Sequence, residues 1–177
     1  MRFGWARLAT VAAMAGTVAA CGGDQPASGF DPEANLAEAT QFMTTNASAK
    51  GVQALPSGVQ YKVVTSGPAG GESPDANDLV SVHYEGSLTD GSVFDSSFER
   101  GTPYATHLDQ VVPGWTEAVT KMKPGDEWIV YIPPELGYGR AGGGSRIPPN
   151  SVLVFRIQLL DVAAGPGAPR PQPNAQV

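Results

Sequence analysis

Cysteine and histidine are scarce in this sequence: one Cys and two His among 177 residues. Cys21 has no second thiol to pair with, which excludes a disulfide within the chain. His83 and His107 with that single thiol make no convincing metal site, so the residues point to no metal. Alternation along "LVSVHYEGSL" turns His83 away from the face that carries Val80, Val82 and Tyr84. There is no Gly-x-Ser-x-Gly elbow. The glycine-rich "GRAGGGS" lacks a Gly-Lys-Ser/Thr ending and leads into a strand, which excludes a phosphate-cradling loop. Basic residues are few, 11 against 17 acidic for a formal charge of −6, and do not cluster, which argues against nucleic acid as a partner. Any activity must therefore run without metal, nucleotide, other cofactor or strong nucleophile.

What is abundant is glycine (22) and proline (16), so much of the chain is turn, loop or linker, while 41% hydrophobic residues still support a core. The N-terminus reads "MRFGWAR", then the largely apolar "LATVAAMAGTVAA". That run is too short for a membrane span and suits the core of a signal peptide. It ends at Val18-Ala19-Ala20-Cys21, which resembles a bacterial lipobox. The resemblance implies a lipoprotein signal peptide over 1–20 and lipidation at Cys21; the alternative is a free thiol beside an ordinary cleavage site. Losing Arg2 and Arg7 leaves nine basic against 17 acidic residues, a balance of −8. The mature chain is then expected outside the cytoplasm, held on a membrane by lipid without spanning it. Gly22 and Gly23 supply no Asp-type retention signal, which favours the outer membrane facing the periplasm where two membranes exist.

Residues 21–30 read as a flexible tether. A short helix is expected over 31–51, with Asp31 as cap, Pro32 at the first helical position, Glu33 in the first turn, Leu36, Ala39 and Met43 in a thin stripe, and Gly51 as the stop. Residues 58–162 alternate in the manner of strands, with a hairpin signal at Asp90-Gly91. One helix interrupts them, opening near Pro113 with Trp115, Val119 and Met122 on one face and Lys121 and Lys123 in its last turn. Residues 163–177 form a Pro-rich tail expected to be disordered. The pattern is α+β: antiparallel strands with one central helix to cover their apolar face.

The segments "VSVHYEGSLTDGSVFDSS", "VVPGWTEAVTKM", "PPELGYG" and "IPPNSVLVFRIQLLDV", in this order, resemble the FKBP-type peptidyl-prolyl cis/trans isomerases. The likeness covers about 58–162. "LPSGVQYKVV" resembles the entry segment of bacterial members, including relatives of the macrophage infectivity potentiator group. Those relatives carry a long helical dimerisation region upstream, where this chain offers only a short stretch. The resemblance implies a twisted antiparallel sheet of about five strands wrapped around one central α-helix. It also implies rotation of Xaa-Pro bonds without a covalent intermediate, polypeptides containing such bonds as partners, and macrolides such as rapamycin as ligands. By the same resemblance Trp115 is the floor of the pocket, Tyr84, Phe94 and Phe155 are its walls, and Val111 and Val112 stand beside them. Val112 and Ile147 offer backbone groups to substrate, and Tyr138 offers a hydroxyl. Asp95 is the one ionisable group, oriented by Arg100 and the Tyr84 hydroxyl, and Tyr104 adds an aromatic. Asp95, Tyr138 and Phe94 are the catalytic candidates. Three positions depart from the family's pattern: Thr106, expected to open one side of the pocket, and Gly143 and Arg146 in the glycine-rich loop. Taken singly, Trp115, Phe94 and Phe155 are equally readable as core, and Asp95 as a turn residue. A binding module of the same fold, gripping proline segments with little or no catalysis, is the other functional reading.

Overall fold

The computed structural model describes residues 31–165. The stretches expected as signal peptide and tether, with Cys21, lie outside the described residues, as does the expected tail from 166 onward.

Helix α1 spans Pro32–Asn46. Its cap is the expected one: the Asp31 carboxylate accepts the N–H groups of Glu33 (2.9 Å) and Ala34 (3.3 Å), and Pro32 occupies the first turn where a missing N–H costs nothing. The helix stops at Asn46, short of Gly51, because residues 47–49 close into turns on Thr45 and Asn46. Only Ala39 of this helix is buried.

Seven antiparallel strands follow: β1 Val52–Ala54, β2 Gln60–Thr65, β3 Leu79–Ser87, β4 Val93–Ser96, β5 Tyr104–His107, β6 Glu127–Ile132 and β7 Leu153–Ala163. The sheet runs β1-β2-β6-β7-β3-β4, with β5 also paired to β3. The count exceeds the expected five because β1 and β4, of three and four residues, are too short to display a period of two. Helix α2 (Ser97–Arg100) is a single turn after β4, and α3 (Pro113–Val119) is the helix that interrupts the strands. α3 ends before Lys121 and Lys123, so those lysines do not sit in its last turn; Met122 is buried just beyond it.

The alternations fix which faces meet. Val80, Val82 and Tyr84 of β3, Trp128, Val130 and Ile132 of β6, and Leu153, Phe155, Ile157 and Leu159 of β7 are buried together with Trp115, Ala118 and Val119 of α3. His83 lies on the opposite face of β3, stacked on Phe98 at 4.9 Å with Nδ1 3.1 Å from the Ser97 hydroxyl. Register then builds the site. Gly86 of β3 pairs with Phe155 of β7 on one side and Asp95 of β4 on the other. One cross-strand row thus delivers a ring and a carboxylate to neighbouring positions, and Tyr84 follows two residues away on the same face. β7 runs on through Ala163, and the Gly165 N–H donates to the buried Asp78 carboxylate at 2.8 Å, so the first residues assigned to the tail are held on the sheet.

Candidate active site

A hollow of about 710 Å³ opens where α3, β3, β4, β5 and the loop after β6 meet. Its floor is Trp115, 3% exposed. Phe155 stands edge-on to Trp115 at 6.2 Å and to Phe94 at 5.7 Å, and Tyr84 is edge-on to Trp115 at 6.0 Å and to Tyr104 at 5.5 Å. These are the edge-to-face geometries in which ring quadrupoles attract. The Trp115 indole N–H has no acceptor among the described residues.

Asp95 sits at the rim of this apolar surface. Its carboxylate accepts from the Tyr84 hydroxyl and from the Arg100 guanidinium. Arg100 also donates to the Tyr84 oxygen (3.1 Å) and lies 5.5 Å over the Tyr84 ring. Burial works against the charge on Asp95, but the hydrogen bonds from Tyr84 and Arg100 outweigh it and hold the carboxyl below its ordinary range. Burial, then the bond to Asp95, pushes the Tyr84 phenol up. Three side chains therefore keep one charge state through neutrality. The depressed Asp95 carboxyl contributes its pairing fully above the unfolded value, about 3.9, and loses it as pH falls through the lower folded value.

The loop over residues 137–150 carries Tyr138, Gly143, Arg146 and Ile147 to the pocket. Tyr138 is 44% exposed and its hydroxyl has no partner among the described residues. The side chain of Ile147 is buried. Its N–H donates to the Gly143 carbonyl (3.3 Å) and its C=O accepts the Gly143 N–H (2.8 Å), which leaves the Ile147 carbonyl one further lone pair. The Val112 carbonyl likewise takes the N–H groups of Trp115 and Thr116 at the start of α3. Gly142 has φ +65, and a Cβ there would lie 2.4 Å from the Ile147 oxygen, so the fold-back of this loop requires glycine.

Of the expected residues, Tyr84, Phe94, Asp95, Tyr104, Val111, Val112, Trp115, Tyr138, Ile147 and Phe155 line one hollow, joined by Gly143 and Arg146, while Arg100 braces it from behind Asp95. Thr106 does not line it. Thr106 is buried opposite Val80 and bonds the His107 carbonyl, so it opens no side of the pocket. Two contributors escaped the sequence reading. Gln110 lines the pocket without any local signal. Gly86 lets Phe94 and Phe155 close over β3, and its need for no side chain is visible only in space.

An antiparallel sheet and a short helix thus enclose an aromatic cup with one clamped carboxylate at its lip. The sequence profile described as "FKBP-type peptidyl-prolyl cis-trans isomerase" matches residues 70–160, and the chain belongs to that family. A second profile, "Domain amino terminal to FKBP-type peptidyl-prolyl isomerase", matches residues 23–63. The peptidyl-prolyl cis-trans isomerase Mip of Coxiella burnetii is 46% identical over 128 residues, 72% of this chain and 55% of that protein. The outer membrane protein MIP of Legionella longbeachae is 43% identical over 130 residues, 73% of this chain and 55% of that protein. The chain thus spans about half the length of these curated relatives. A crystal structure of a peptidyl-prolyl cis-trans isomerase from Pseudomonas syringae superposes with TM-score 0.70 at 38% identity, covering 76% of this chain and 97% of that one.

Proposed function

We propose that this chain accelerates cis/trans rotation of Xaa-Pro bonds in polypeptides outside the cytoplasm. The observation that carries the reading is the gathering of Trp115, Tyr84, Phe94 and Phe155 around one hollow with the clamped Asp95 at its edge. The barrier to this rotation is amide resonance, roughly 18–20 kcal/mol. Resonance places charge on the amide oxygen and nitrogen; twisting the bond removes it. A dry aromatic cup therefore favours the twisted imide over the planar one, and each ~1.4 kcal/mol gained in that way is about tenfold in rate. Trp115 is the platform for the proline ring, and Phe94, Phe155, Val111, Val112 and Ile147 exclude water. Tyr138 donates to the substrate carbonyl, and Asp95 stabilises the twisted imide by its field, with no proton transferred.

The test is an isomerisation assay on an apolar-Xaa-Pro peptide with protein starting at Cys21. Acceleration that rapamycin blocks is expected; a well-folded protein with no activity would sink the reading. Because the Tyr84–Asp95–Arg100 set holds one protonation state, kcat/KM is expected to stay flat from about pH 5 to 8 and to decline only below about 4. A midpoint near neutrality would show that another group controls the rate.

Arg146 sets a preference. Asp95 is paired with Arg100, whereas Arg146, exposed in the lining, has no acidic partner among the described residues. Substrates with a carboxylate beside the Xaa-Pro unit are expected to be favoured. Arg146→Glu should invert the ratio of kcat/KM between Glu- and Lys-flanked peptides, by up to about fivefold as exposed pairs allow, with the difference shrinking in high salt.

The basic start, short apolar core and Val-Ala-Ala-Cys junction support export and lipidation at Cys21. The outer-membrane name of the Legionella relative agrees with that placement. Mass spectrometry of the membrane fraction, with Cys21→Ser as the soluble control, tests it.

A further inference from the structure

α1 buries a single alanine among its 15 residues, so it adds almost nothing to the core. Phe42 rests on Tyr131 of β6 at 6.0 Å, and the hydrogen bonds from the helix to other elements fall at its two ends. At the C-terminal end Asn46 donates to the Gln60 side chain (2.8 Å), and Gln60 donates to the Met43 carbonyl (2.8 Å). At the N-terminal end the contacts go to the pocket loop. Asn35 Nδ2 donates to the Pro149 carbonyl at 2.8 Å, and Asn150 Nδ2 donates back to the Pro32 carbonyl at 2.8 Å. Asn150 is 4% exposed, sits at φ +55, and ties the loop base with its own N–H on the Gly139 carbonyl (2.8 Å). Pro148 and Pro149 have no N–H to give, so this stretch of the loop can be fixed only through its carbonyls, and Asn35 takes one of them. The Arg140–Glu33 pair spans the same junction at 3.4 Å, but both side chains are largely exposed and it contributes little.

We propose that α1 is a brace for the catalytic loop, and that Asn35 and Asn150 are positioning residues for Tyr138 and Ile147. The inference rests on the isomerase reading and deepens it. Beyond Ile147, whose side chain joins the core, the backbone hydrogen bonds of residues 137–150 are mostly internal, Gly143 with Ile147 and Gly139 with Gly142 and Asn150. The reciprocal amide clasp joins that self-contained loop to a helix whose far end is fastened to β2. Without the clasp the Tyr138 hydroxyl and the Ile147 side chain keep their place in sequence but lose their fixed distance from the Trp115 floor.

Asn35→Asp is the decisive variant in the full chain. It preserves size, removes the donor to Pro149, and places an acid near the helix N-terminus, where the dipole favours it. A merely structural role for α1 would therefore be unharmed or improved. The brace predicts faster backbone hydrogen exchange at residues 139–147 and a roughly two- to tenfold loss of kcat/KM, the range for one neutral hydrogen bond, with thermal stability unchanged. Asn46→Ala is the comparison: it removes one contact at the far end of α1, leaves the Gln60–Met43 bond and the Phe42–Tyr131 packing to hold that end, and touches no loop residue, so exchange at 139–147 and kcat/KM should hold. Exchange unchanged by Asn35→Asp overturns the brace, as does a rise in exchange with full activity or an equal loss of activity in Asn46→Ala. An inactive wild type would sink the isomerase reading instead, and the exchange measurement would still decide whether Asn35 holds the loop.

Discussion

Asp95→Leu is expected to lower kcat/KM by about tenfold to a hundredfold, the worth of a hydrogen-bonded charge facing the reacting group. Leucine is close in volume, so the cup stays dry. The change strips the Arg100 guanidinium of its carboxylate and the Tyr84 hydroxyl of its acceptor. Arg100 is about half exposed, 45% of its side chain, so the stranded cation can turn to water and the fold should survive. Affinity for a proline-mimicking macrolide should change far less than the rate, because the apolar walls remain. The rival reading makes Asp95 a turn residue, but that work falls to its neighbour: the Ser96 hydroxyl accepts the Glu99 N–H and caps α2. Activity within twofold of wild type in Asp95→Leu would return Asp95 to a structural part.

Gly86→Ala should do comparable damage from a residue with no side chain. A Cβ at Gly86 would stand 2.6 Å from Phe94 Cε2 and 2.7 Å from Phe155 Cε1. Ordinary contact requires both rings to retreat by most of an ångström, or the strand to bow. Overpacking of this kind costs about 1–3 kcal/mol of stability, and a misplacement of ~1 Å in a reacting constellation can cost about a hundredfold in rate. The expected result is a folded protein with a lower Tm and a kcat/KM reduced by up to about two orders of magnitude. Ser87→Ala, one residue on and on the opposite face, should leave both nearly unchanged. If Gly86→Ala keeps its rate within threefold, the cup is soft and its ring geometry does not set the chemistry.

Local chemistry made much of this fold readable. Asp31-Pro32-Glu33 announces the start of α1, and strict alternation in β3, β6 and β7 tells which residues meet. That alternation sets Tyr84 with Val80 and Val82 on one face of β3, and Phe155 with Leu153, Ile157 and Leu159 on one face of β7. What stayed hidden depends on partners far along the chain. The end of α1 is set by turns at residues 47–49 and by Asn46 reaching Gln60, not by the next glycine. Thr106 shares a face with Tyr104, yet register places it over Val80 and away from the pocket. The Asn35–Pro149 and Asn150–Pro32 bonds join residues more than a hundred positions apart, and asparagine carries no local sign of such a partner. The Gly143–Ile147 pairing inside the loop is hidden for a related reason: its partners are set by the loop's fold-back and not by any local pattern.

The clasp on Pro32 has a geographic consequence. Asp31, the first described residue, precedes Pro32, which is tied to the loop that roofs the pocket. With Cys21 lipidated as proposed, ten residues lead from the bilayer to Asp31, at most about 35 Å when fully drawn out. The pocket would then patrol a thin shell above the lipid, meeting polypeptides as they cross or settle on that surface sooner than those dispersed in the wider compartment.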